Sequence, residues 1–172
     1  ELLANAHPAI KDQLKLEVMQ ERVEQCTASI AKITNELANA RLDALIVVGD
    51  DQNEQYADDN MPAILIYTGE TIRNNPLLLA EDAPQFWRRA RSQYHEANAP
   101  RDYPIAAPLA RHLVDHLMDN GFDISHSARL GKEKIGEGHA FGFVHRSLMQ
   151  GFTIPIVPVA INTYSAPNQP RP

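Results

Sequence analysis

The stretch Leu42-Asp43-Ala44-Leu45-Ile46-Val47-Val48-Gly49-Asp50-Asp51-Gln52-Asn53-Glu54 decides the fold class. Its first part is a short apolar run rich in β-branched residues, which predicts a strand buried on both faces. Its second part turns polar at once. A polar cluster at the carboxyl end of a buried strand is where open α/β sheets place their sites.

Upstream, Met19, Val23, Cys26, Ile30, Ile33, Leu37 and Ala40 recur at alternating steps of four and three. That spacing lays them along one stripe of a helix, expected over about Glu17 to Arg41 and facing the core. A coiled-coil partner is the alternative use of the same stripe. Downstream, Pro62–Tyr67 reads as a second strand and 73–83 as a loop with Asn74-Asn75-Pro76 as its turn. Residues 84–98 read as a helix with Pro84 in its first turn, and 98–104 as another loop. A helix over Ile105–Asn120, with Leu109, Leu113, Val114 and Leu117 inward, is ended by Gly121. Phe122–Ser125 is a short strand, 127–138 a loop, and Phe152–Asn162 a strand interrupted by Pro155 and Pro158. The order predicts an α/β fold: a mixed or mostly parallel sheet flanked by helices.

The chain has 172 residues and a net charge of −6, so a basic nucleic-acid footprint is absent. One cysteine, Cys26, excludes an internal disulfide framework and a multi-cysteine metal site, and its place in the stripe makes it a packing residue. The apolar runs are too short to span a bilayer, and a reducing, cytoplasmic setting is expected. The sequence has no Gly-x-Gly-x-x-Gly, no Gly-Lys-Ser/Thr and no Gly-x-Ser-x-Gly, which argues against nucleotide cofactors and serine hydrolysis.

Two constellations carry chemistry. Asp50–Glu54 offers carboxylates for a hard cation or for acid–base work, and its blander reading is a helix N-cap with acidic residues in the first turn. Glu137-Gly138-His139-Ala140-Phe141-Gly142-Phe143-Val144-His145 sets two histidines among glycines and apolar residues. Glycine permits close approach and histidine titrates near neutrality. The pair His112 and His116 has metal-ligand spacing but reads as a solvated helix face. His7, His95 and His126 lie in no pattern. Arg88, Arg89, Arg101 and Arg111 read as surface residues able to meet a substrate carboxylate.

Val47-Val48-Gly49-Asp50-Asp51-Gln52, Asn60–Tyr67, Gly138-His139-Ala140-Phe141, Ile154–Val159 and Asn162-Thr163-Tyr164 together resemble the class III extradiol ring-cleavage dioxygenases. Within these, the likeness is to the catalytic-subunit superfamily of the protocatechuate 4,5-dioxygenase type. The resemblance implies O2-dependent opening of a catechol-type ring by a non-haem Fe(II) held by two histidines and one carboxylate. It implies an active-site role in proton transfer or substrate binding for His139. Asp51, Gln52, Glu54 and His145 are expected to line the pocket. Gln52 stands where many members have an iron-binding histidine, so the metal ligands in this chain are left unassigned. The family's other ligand motifs fall outside these 172 residues, and the chain is expected to be the middle of a longer α/β domain, its sheet incomplete at both ends. Open sheet edges predict a homo-oligomer. The expected partners are a small aromatic substrate and O2, with no nucleic acid and no membrane. A catalytically silent dioxygenase-like subunit, favoured by Gln52, stands beside the enzymatic reading. An unrelated α/β binding domain is the third.

Overall fold

The structure is a computed structural model that describes residues 5–57, 60–80, 82–163 and 166. Tyr164 and the terminal prolines Pro167, Pro170 and Pro172 lie outside the described residues.

After a short helix α1 (Ala9–Gln13), the long helix α2 (Leu16–Asn39) leads into β1 (Leu45–Asp50). Strands β2 (Ile64–Tyr67) and β3 (Thr71–Asn74) follow, then helix α3 (Gln85–Arg91), strand β4 (Arg101–Pro104) and helix α4 (Ala107–Asp119). The chain ends with β5 (Ser125–Ser127), α5 (His139–Phe143), a π-helical turn at Val144–Leu148 and β6 (Ile156–Ile161).

The main sheet has the order β1-β6-β2-β5. β1 runs parallel to β6 and β2 parallel to β5, while β2 and β6 are antiparallel. The fold is therefore α/β with a mixed sheet. Pro158 falls just short of the stretch 159–161 where β6 pairs with β2, so its missing N–H does not interrupt that pairing. α4 covers one face, packing Ala110 and Val114 on Ile66, Val157 and Val159. The other face carries Leu65, Ile156 and Ala160, packed with Phe141, Val144, Tyr103 and Ile72.

Several expectations are corrected. The α2 stripe does not face the core: Leu37 packs against it and Ile30 is half-buried, but Met19, Val23, Cys26 and Ile33 are exposed. Periodicity identifies the apolar face of a helix but does not supply the surface that covers it. β1 is buried on one face only. It is an edge strand, and Ile46 and Val48 project beyond the reach of α4, 51% and 61% exposed. The segments read as loops at 73–83 and 98–104 hold the end of β3 and the whole of β4, which pair antiparallel as a separate ribbon that buries Ile72, Asn74 and Tyr103. The helix expected over 84–98 is confined to Gln85–Arg91, and Leu109 of α4 points outward.

Candidate functional site

The site forms where β1 ends. Gly49, the penultimate residue of β1, lets α5 approach so closely that a Cβ there would lie 2.5 Å from the Ala140 Cβ. Because α5 starts at His139, this approach sets the imidazole over the acidic turn that follows β1. The turn closes on Asp51, whose carboxylate accepts the backbone N–H groups of Glu54 and Gln55 at 2.9 Å and of Tyr56 at 3.4 Å. Asn53 takes a left-handed conformation at φ 61°, which asparagine tolerates better than most residues. Gln55 then ties the turn to the 131–136 loop, donating to the Gly136 carbonyl and accepting from the Lys132 N–H at 3.0 Å.

Glu54 thereby reaches α5. Its Oε2 accepts the His139 backbone N–H at 3.0 Å and lies 2.7 Å from the ring Nδ1. The other ring nitrogen, Nε2, is 3.6 Å from Asp50 Oδ1. Tyr94 meets the ring edge-on at a centroid distance of 5.9 Å, and its own ring adjoins the buried His95 at 4.9 Å. The Glu54 hydrogen bond, helped by the charges of Glu54, Asp50 and Asp51, holds the His139 pKa above the ordinary imidazole value against the opposing effect of burial. Burial raises the Asp51 pKa, a rise limited by its three amide donors. Burial lowers the His95 pKa and keeps that ring neutral.

The structure thus joins His139 with Glu54 and Asp50, one residue before the expected Asp51. Asp51 itself is turned to the backbone and shapes the turn. Gln52 is exposed, and its amide donates to Asp50 Oδ2 at 3.0 Å. His145, expected at the pocket, is placed apart from it: its side chain is fully enclosed and bonded to Glu137. Sequence reasoning missed Tyr94, which no motif marks. His112 and His116 lie on the exposed face of α4.

A two-histidine, one-carboxylate iron site requires donors with free lone pairs converging on one point. Both His139 nitrogens face carboxylates, the Gln52 amide is turned to Asp50, and His145 is sealed in the core. Among the described residues no three His, Cys, Asp or Glu side chains are grouped to hold a metal ion. These residues by themselves do not fit such an iron. What they do fit is proton handling: an imidazole held between two carboxylates keeps its proton and presents it beside an aromatic edge. No family model matches the chain, and no curated protein matches it.

Proposed function

We propose that this chain supplies the proton-handling wall of an extradiol ring-cleavage dioxygenase that acts on a catecholic substrate with O2. The observation that carries the reading is the Glu54–His139–Asp50 arrangement at the carboxyl end of β1, in the sequence context that resembles those enzymes. In this reading His139 holds its proton on Nε2, the nitrogen with the longer carboxylate contact, and donates it to a substrate oxygen. Glu54 fixes the ring through Nδ1 and stabilises the charged form. Tyr94 gives the aromatic ring of the substrate an apolar edge to rest against. In this reading Fe(II) would be held by residues outside the Glu54–His139–Asp50 cluster.

A catalytically silent dioxygenase-like subunit is the second reading. The outward turn of Gln52, whose amide donates to Asp50, favours it. Anaerobic loading of the full gene product with Fe(II), followed by catechol or protocatechuate and air, separates the two. Coupled O2 uptake and a ring-opened product, both strongly reduced in His139→Gln, are expected. Substrate binding without O2 uptake supports the silent subunit.

The same reading includes self-association and a cytoplasmic setting. The exposed apolar stripe of α2 supports the first, and the free, exposed thiol of Cys26 supports the second. Among the described residues no helix is long and apolar enough to cross a membrane.

A further inference from the structure

Two ionisable side chains are sealed in the core away from the His139 cluster. Glu137 and His145 are each 2% exposed, and neither side chain reaches solvent. His145 Nδ1 lies 3.0 and 2.9 Å from the two Glu137 oxygens, and Asn74 Nδ2 donates to Oε1 at 2.7 Å. The Tyr103 ring stacks on the imidazole at 4.0 Å with only 4° between planes. Burial pushes the Tyr103 phenol up to about 12, so it stays protonated and donates to Glu96 at 2.5 Å. His145 Nε2 is buried with no hydrogen-bond partner among the described residues.

Such a pair is an expensive way to fill a core. Apolar residues of the same volume serve stability as well or better, because desolvating two charges offsets their attraction. What a buried, directional pair provides instead is a fixed geometry. Its location says which geometry. Glu137 stands two residues before His139, and His145 lies on the π-helical turn just past α5, so the pair spans α5 from one end to the other. π-Helical turns are uncommon and gather at functional sites. Asn74 extends the pair to the other wall of the site: the Nδ2 that donates to Glu137 also donates to the Tyr94 carbonyl at 2.8 Å. The Glu137 N–H is fixed on the Arg73 carbonyl at 2.7 Å. Gly142 lies so close to the Tyr94 carbonyl and Asn74 Nδ2 that a side chain there would displace both.

We infer that Glu137 and His145, linked through Asn74 to Tyr94, form a buried clamp that positions the His139 ring between Glu54 and Asp50. They are positioning residues that touch neither substrate nor His139 itself. Their importance for turnover rests on the proposed function, whereas their hold on the His139 ring does not.

The test reads that ring directly. The His139 imidazole is titrated by NMR in the full gene product, labelled at histidine, with neither iron nor substrate added. The variants are Glu137→Gln, His145→Phe (which keeps a ring against Tyr103) and Asn74→Ser as the milder change. Ile72→Val serves as a core control outside the clamp. The groups facing His139 are Glu54, Asp50, Asp51 and Tyr94, and all are retained. A loosened clamp weakens the Glu54 contact, so the midpoint is expected to fall by at least about 0.5 pH unit, roughly threefold in proton affinity. Ile72→Val is expected to lower the melting temperature without moving the midpoint. Clamp variants that melt earlier yet leave the His139 midpoint unchanged would overturn the inference and leave the pair a packing element. Because no turnover enters the readout, an inactive gene product would count against the ring-cleavage reading and not against the clamp.

Discussion

Gly49 and Ala140 stand so close that a methyl group on Gly49 would lie 2.5 Å from the Ala140 Cβ. The Ala140 methyl is fixed to its backbone and is not a flexible side-chain end that could swing away. Gly49→Ala therefore has to push α5 off the end of β1. A destabilisation of about 1–3 kcal/mol is expected from this overpacking. Denaturant melts measure it, and the displacement is also expected to lengthen the His139–Asp50 and His139–Glu54 contacts. Wild-type stability in Gly49→Ala would show that the approach of α5 is not tight.

Glu54→Gln tests the electrostatics of the site. The Glu54 hydrogen bond is the largest cause of the raised His139 pKa, and burial opposes it. Without the carboxylate, burial counts for more and the midpoint should fall. A pKa raised by folding adds stability that is complete below the unfolded imidazole value of about 6.5 and fades as pH rises through the folded value. Wild-type protein should thus lose more stability than Glu54→Gln on going from pH 6 upward. Melts across that range check the sign, and parallel curves would refute it.

Asp51→Ala removes the acceptor of three backbone amides in the turn after β1. Leaving such donors unpaired typically costs about 1–3 kcal/mol. Asp51→Asn keeps an acceptor oxygen and should lose less. Since burial raises the Asp51 pKa, the stabilising contribution of its protonated form is lost as pH rises through that raised value. Asp51→Asn should flatten this part of the stability–pH profile. Chemical denaturation of the three proteins at acidic and neutral pH gives the comparison.

Met19→Ser and Val23→Ser alter the exposed stripe of α2, where no residue is buried. Changes at such positions usually shift stability by no more than about 0.5 kcal/mol. The melting temperature should therefore hold, while sedimentation velocity should report weaker self-association. A large loss of stability at fixed oligomeric state would place these residues in an intramolecular core.

Elements built on dense apolar runs could be read from the chain. β1, β2 and β6 are marked by consecutive Val, Ile and Leu, and α2 and α4 by helical spacing ended near Ala40 and Gly121. The ribbon β3–β4 could not, since Thr71-Ile72-Arg73-Asn74 and Arg101-Asp102-Tyr103-Pro104 each bury one hydrophobic side chain and spend the rest on polar contacts such as Arg73 with Asp102. Coverage was equally invisible: the apolar stripe of α2 and the outer face of β1 look like core in one dimension. At the site, Asp50–Glu54 and His139 stood out because each combines titratable residues with a strand end or glycines. That Glu54 rather than Gln52 faces the histidine depends on a left-handed Asn53, a backbone choice that pattern reading does not reach. Glu137 opens the second constellation, and a charged residue inside a glycine-rich apolar stretch is itself a signal for a buried partner, but nothing in the pattern names His145 as that partner.

The sheet order β1-β6-β2-β5 sets the timetable of biosynthesis. β6 is the strand between β1 and β2, which do not pair with each other, and it leaves the ribosome more than a hundred residues after β1. Until residue 161 emerges, β1 and β2 cannot be joined into one sheet. Between the emergence of β1 and that of β6 the nascent chain therefore carries β1 without its sheet partner, a period in which chaperone binding competes with misassembly.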